Sequence, residues 1–248
     1  MVLSEKNWLA NALREAGLLP TDADQAAAER LLAYARLLAE ANRNFNLIGP
    51  GAFDDLLKRH ILDCALGFVF LQRRGLALGA VADIGSGAGL PGVVWAILGG
   101  FDRVVCCESN AKKARFIQEA ARELGLDHLG IEIRRAEILG HDPQWRESFS
   151  VVTARALAPL NVLMELTAPL ARIGGVCLYF KGRGVDAETA GAGEAMAQMR
   201  LIPAARERYG TPEGTPGGEW LLYEKVGPIP DRYPRRPGIP AKRPLKNI

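Results

Sequence analysis

Histidine, cysteine and aromatic residues are all scarce in this chain of 248 residues: three His, four Cys and 7% aromatics. The cysteines (Cys64, Cys106, Cys107 and Cys177) have no C-x-x-C spacing. A zinc site needs clustered Cys and His ligands, so no metal is expected. Cys106, Cys107 and Cys177 lie in apolar runs and read as buried, reduced thiols. Long hydrophobic runs are missing too. Every apolar stretch meets a charge or a glycine well before 18 residues, so none reads as a transmembrane helix. The opening residues Met1-Val2-Leu3-Ser4-Glu5-Lys6 lack the parts of a signal peptide. The expected compartment is the cytoplasm, with no membrane partner.

What is present is an ordinary globular composition, 48% apolar and 24% charged, with a net charge of +3. It suffices for one core, and a monomer is the expected state. From Asp22 to Asn42 the pattern is helical, with Leu31, Leu32, Ala35, Leu38 and Ala39 on one face. A second helix is expected from Phe53 to Gln72. These two make an N-terminal helical cap, residues 1–75. Short apolar runs then alternate with helical stretches. The runs are Ala80–Ile84, Asp102–Glu108, Gly130–Ala136, Phe149–Ala154, Gly175–Lys181 and Trp220–Val226. The helical stretches are Pro91–Leu98, Ala111–Leu124, Leu160–Ala171 and Val185–Met199. Strands alternating with helices of this length mean βαβ units. The expected class is α/β, a mostly parallel sheet with helices on both faces, over residues 76–227. Residues 228–248 are basic and Pro-rich. They read as an extended tail that need not pack on the core, with Arg235, Arg236, Lys242 and Arg243 as candidate RNA phosphate contacts.

The first strand runs into Gly85-Ser86-Gly87-Ala88-Gly89-Leu90-Pro91-Gly92. Glycines let a backbone turn tightly against a ligand, and the following helix offers free N–H groups to negative charge. Gly87, Gly89 and Gly92 satisfy G-x-G-x-x-G, and Glu108 follows at the distance of a ribose-binding acid. A dinucleotide would satisfy that spacing. Asp83, however, makes the pattern D-x-G-x-G-x-G, which resembles the first motif of class I (Rossmann-like) methyltransferases. No hydride-transfer set such as Tyr-x-x-x-Lys accompanies it. The expected cofactor is therefore S-adenosylmethionine. Backbone from Gly85 to Gly89 would receive its methionine end, and the Glu108 carboxylate its ribose hydroxyls. Ala136 and Glu137, at the end of the third strand, would meet the adenine. Leu90 would lie against adenine or methionine.

The acceptor is narrowed by what is missing. Amine methylation usually goes with an (Asn/Asp)-Pro-Pro-aromatic turn after the fourth strand, where this chain has Thr153-Ala154-Arg155-Ala156. None of the cysteines has the setting of a pyrimidine C5 nucleophile. An acceptor that is already nucleophilic remains, such as guanine N7, whose lone pair needs no base. Alignment then carries the reaction, and no catalytic acid or base is assigned.

Several further motifs stand in order: Asn42-x-x-Phe45-Asn46-Leu47-Ile48, Arg59-His60-Ile61-Leu62-Asp63, Glu108-Ser109, Arg135-Ala136-Glu137, Ala154-Arg155-Ala156-Leu157-Ala158-Pro159-Leu160 and Tyr233-Pro234-Arg235-Arg236-Pro237-Gly238. With the loop from Asp83 to Gly92 they resemble the ribosomal RNA small subunit methyltransferase G family, also called glucose-inhibited division protein B, over nearly the whole chain. Cys64 and Ser86 depart from the Ser and Thr frequent there. The resemblance implies N7 methylation of one guanine in the decoding-region loop of 16S rRNA, as RNA or within the small subunit. It also implies cofactor roles for Gly85, Leu90, Ala136, Glu137 and Arg155. The competing readings are a methyltransferase for another RNA site or a small molecule, and a non-catalytic RNA-binding assembly factor. A small-molecule substrate leaves the basic, Pro-rich tail unexplained. The second predicts a damaged glycine loop.

Overall fold

Alternation of side chains along the strands sets the layers of the fold. The computed structural model describes residues 2–18, 23–49, 51–182, 184–210 and 216–246. In β1 (Ala80–Ile84) Val81 faces one core, while Ala82 and Ile84 face the other. The same alternation separates Val151 from Val152 in β4 (Phe149–Arg155), and Leu178 from Tyr179 in β5 (Ala171–Lys181). Strands buried on both faces need helices on both.

The sheet has seven strands in the order β3-β2-β1-β4-β5-β7-β6. Here β2 is Arg103–Cys107, β3 Leu129–Glu132, β6 Leu201–Gly210 and β7 Pro216–Lys225. β1 to β5 pair in parallel, and β7 runs antiparallel between β5 and β6. Because β1 has β2 on one side and β4 on the other, a crevice opens beyond its carboxyl end, where ligands of such sheets bind.

One face carries α1 (Val2–Glu15), α2 (Ala23–Asn44), α5 (Gly92–Leu98), α6 (Ala111–Glu123) and a continuous helical run. That run consists of α3 (Phe53–Leu56), a π-helical segment (Leu57–Leu62) and α4 (Asp63–Gln72). The opposite face carries α7 (Ala136–Leu139), α8 (Leu160–Thr167), α9 (Val185–Ala190) and α10 (Gly193–Gln198).

The N-terminal helices share one hydrophobic core with the sheet. Leu13, Leu31, Ile61 and Phe68 are buried in the same cluster as Val104, Leu178 and Leu222. Trp95 Nε1 donates to the Cys64 carbonyl at 2.8 Å, and Tyr34 Oη to the Ala88 carbonyl at 2.6 Å. α2 thus holds the glycine loop from behind.

Several elements differ from the sequence expectation. α1 has no counterpart in it, although Leu9 and Leu13, one turn apart, are both fully buried. β6 has none either, because it is an edge strand with only Leu201 buried and the rest intermediate or exposed. The helix expected over Val185–Met199 is broken at Gly191-Ala192, since glycine weakens a helix interior. Ala136 and Glu137 do not end β3; they open α7.

The largest correction is the tail. Residues 228–246 dock on the core. Ile229, Tyr233 and Pro240 are buried. Arg146 donates to the carbonyls of Ile229 (2.9 Å) and Tyr233 (2.8 Å), and Asn161 to that of Leu245 (2.8 Å). Proline-rich chain has few donors of its own, so core side chains satisfy its carbonyls. No helix among the described residues is long and apolar enough to cross a membrane.

Candidate functional site

The glycine loop leaves β1 at the crevice. Gly85, Gly87 and Gly89 have φ of 69°, 59° and 92°, so the loop is left-handed at alternate residues. Asp83 anchors it from below. Its Oδ2 accepts from the Gly92 N–H at 2.9 Å, and Ser86 Oγ donates to its carbonyl at 2.8 Å. Asp83 Oδ1 is buried without a hydrogen-bond partner. Burial lifts the Asp83 carboxyl to about 7.

Glu108 stands across the loop, just beyond β2. Its Oε2 accepts from the Gly87 N–H at 2.9 Å and its Oε1 from the Asn110 N–H at 2.7 Å. A cavity of about 230 Å³ lies between the loop and α7, bounded by Gly85, Glu108, Ala136, Glu137, Leu157 and Gly238. Leu157 leans over Gly85: a Cβ on that glycine would come within 2.6 Å of its Cδ1. Leu90 is buried in the core beneath the loop and is not part of this wall. Gly85, Glu108, Ala136 and Glu137 therefore meet at one cavity, with Asp83, Ser86, Gly87 and Gly89 forming the loop behind it.

Glu137 has a partner that nothing in the sequence suggests. Its Oε1 accepts from the Gly238 N–H at 2.8 Å, which seats the tail against the cavity. Arg235 is likewise committed to Glu165, through its Nε and Nη2. Arg236, Lys242 and Arg243 are exposed.

Arg155 lies elsewhere. It ends β4 and faces a second, larger cavity of about 580 Å³, on the far side of the Arg155-Ala156-Leu157 bend. Its Nε donates to Asp63 Oδ2 and its Nη2 to the Arg59 carbonyl, both at 2.8 Å. The same Nη2 lies 3.1 Å from His60 Nδ1. The Tyr209 hydroxyl also bonds Asp63. A charge this buried requires a carboxylate partner. Arg155 thus ties the π-helical segment to the sheet, where the family resemblance implies a cofactor contact. His60 stands in the Arg59–Asp63 motif of the sequence, whereas Tyr209 carries no motif and joins the site only in three dimensions. Lys181 borders the same cavity, paired to Glu188 at 2.6 Å. Among the described residues no cluster of His, Cys, Asp and Glu could hold a metal ion.

The sequence profile of the rRNA small subunit methyltransferase G family matches residues 27–209. The chain belongs to this family. Its relatives include proteins that carry the name ribosomal RNA small subunit methyltransferase G. That of Carboxydothermus hydrogenoformans is 38% identical over 212 residues, covering 86% of this chain and 89% of the relative. That of Roseiflexus castenholzii is 39% identical over 228 residues, covering 90% and 93%. Among solved structures, a ribosomal protein L11 methylase from Lactobacillus delbrueckii subsp. bulgaricus is similar in fold. Its TM-score is 0.51 at 16% identity, over 72% of this chain and 81% of that one. As a member of the methyltransferase G family the chain is a methyltransferase of small-subunit ribosomal RNA, with S-adenosylmethionine as methyl donor. Its sheet order and its glycine loop at the end of β1 are those of the class I fold.

Proposed function

We propose that this protein methylates N7 of one guanine in the decoding-region loop of 16S rRNA. The donor would sit at the glycine loop and the base in the cavity beside Arg155. The observation that carries this reading is the pair of cavities meeting at the Arg155–Leu157 bend, one on the loop side and one on the cap side. The loop side suits an adenosyl group. The Glu108 carboxylate already accepts two N–H groups, as it would accept two ribose hydroxyls. The orphaned Asp83 Oδ1 marks polar capacity held in reserve under the loop.

The donor supplies a methyl group on a sulfonium, which N7 attacks without prior deprotonation. The protein's task is to align the base and exclude water. The acids on the acceptor side are committed, Asp63 to Arg155 and Glu188 to Lys181, so neither stands ready as a base. Burial, with Arg155 and Arg59 alongside, pushes His60 down to about 4, so it is neutral at pH 7. An acceptor that needs no base fits these surroundings better than an amine or a hydroxyl. The reaction belongs in the cytoplasm, with the protein acting as a monomer on rRNA or the small subunit.

The test is to incubate the protein with radiolabelled donor and small subunits from cells lacking the gene, then to digest the RNA to nucleosides. Label in 7-methylguanosine at one 16S position is expected. Label in any other nucleoside overturns the reading.

A further inference from the structure

The selection of the acceptor base rests on the reaction just proposed, and one side chain is set up for it. His60 stands on the π-helical segment and borders the acceptor-side cavity. Its Nδ1 lies 3.1 Å from Arg155 Nη2. A guanidinium has donors and no acceptor, so Nδ1 must accept. A neutral imidazole that accepts at Nδ1 carries its proton on Nε2. Arg155 is itself held by Asp63 and the Arg59 carbonyl, so the network pins the tautomer.

Nε2 lies across the ring from Nδ1 and so points away from Arg155. Among the described residues nothing accepts from it. Four other cations border this cavity, each with a partner: Arg155 as above, Lys181 with Glu188 and the Ala158 carbonyl, Arg59 with Asp55, and Lys58 over the Trp8 ring. His60, which borders both this cavity and the neighbouring one lined by Arg36, Asn42 and Asp55, is therefore a preset neutral donor at their boundary.

Guanine carries two acceptors side by side on one edge, N7 and O6, whereas adenine pairs N7 with an amino donor. Once N7 faces the methyl donor, O6 is its immediate neighbour, and only a donor matches it. We infer that His60 Nε2–H donates to O6 of the target base and makes the site select guanine. His60 is thus a specificity-determining residue, and it takes no proton in the reaction.

The experiment uses 16S rRNA ligated from synthetic pieces, assembled into small subunits, with either guanine or 2-aminopurine at the methylated position. 2-Aminopurine keeps N7 and lacks O6. The ratio of kcat/KM for the two substrates is measured for wild type, His60→Gln and His60→Phe. Wild type should favour guanine about tenfold more than His60→Phe does, the size of one good hydrogen bond. His60→Gln should keep much of that preference, since its amide can accept from Arg155 and donate to O6. The ratio cancels the intrinsic reactivity of the two bases and any loss of folded enzyme. Equal ratios for wild type and His60→Phe overturn the inference, as does a ratio for His60→Gln equal to that of His60→Phe. If His60→Phe does not fold, His60→Ala replaces it under the same criterion. A wild-type enzyme that leaves N7 of guanine unmethylated overturns the proposed reaction itself.

Discussion

Arg235 grips the fully buried carboxylate of Glu165 with both its side chain and its backbone. Nη2 lies 2.6 Å from Oε2, Nε 2.8 Å from Oε1, and the Arg235 N–H also donates to Oε1 at 2.8 Å. Glu165 sits on α8, so this pair fastens the tail to the face that carries the cofactor-side cavity. Three residues on, the Gly238 N–H meets Glu137 at that cavity.

Arg235→Ala would leave a carboxylate buried without its cation. Such a change costs about 3 kcal/mol. We expect the urea midpoint to fall accordingly. Affinity for S-adenosylmethionine should fall as well, because Gly238 and Ala241 line the cavity. Calorimetry at a temperature where the variant is folded checks the second part. Unchanged affinity would show that the tail's seat is irrelevant to the cofactor.

The exposed tail cations should behave differently. Changing Arg236, Lys242 and Arg243 together to Ala should leave cofactor affinity and melting temperature near wild type. RNA affinity should drop, and its dependence on salt should become shallower. The logarithmic slope should change by about 0.7 to 0.9 for each phosphate that the variant no longer neutralises. A filter-binding titration across salt concentrations measures this. An unchanged slope would move the RNA surface away from the tail.

Glu108→Ala should weaken cofactor binding by about 1.5–3 kcal/mol, the range for hydrogen bonds to a charged group. The fold should persist, since Glu108 lies beyond the end of β2 and bonds only backbone N–H groups at the cleft. Wild-type affinity in a calorimetric titration would remove Glu108 from the cofactor site.

Two glycines of the loop should separate binding from folding. At Gly87 a Cβ would meet only the Gly85 carbonyl, at 3.9 Å, but φ is 59°. Gly87→Val should therefore fold with a penalty of about 1–2 kcal/mol and lose cofactor binding. At Gly92 a Cβ would lie 2.4 Å from Cys106 Sγ and 3.0 Å from Asp83 Oδ2, both in the core. Gly92→Ala should lower stability first, seen in thermal melts without any ligand.

Stability should carry a signature of Asp83. Burial lifts its carboxyl from 3.8 to about 7 in the folded protein. Between those values the folded state keeps a proton that the unfolded chain has released, so its contribution to stability falls as pH rises through this window. Above about 7 the decline levels off. Asp83→Asn removes the effect, so the variant should gain on wild type between pH 4 and 7. Urea midpoints at pH 5 and pH 8 compare the two. An unchanged difference would mean that Asp83 ionises normally.

Local chemistry makes the centre of this molecule legible in its sequence. The run Val81–Ile84 into four glycines specifies a strand, a left-handed turn and a helix start, all decided by residues within a dozen positions. Helical periodicity likewise places α2 and α6, each of which buries one face, and short apolar runs place α5 and the five parallel strands. What the sequence alone does not decide is the pairing between distant residues. The tail reads as free because Pro and Arg usually mark solvated chain, yet Glu165 and Glu137, 70 and 101 residues away, capture it. The family resemblance implies a cofactor role for Arg155, and only the fold shows that β4 delivers it to Asp63 and His60. A buried charge takes the partner that topology brings to it, and no spacing rule along the chain encodes which one that is.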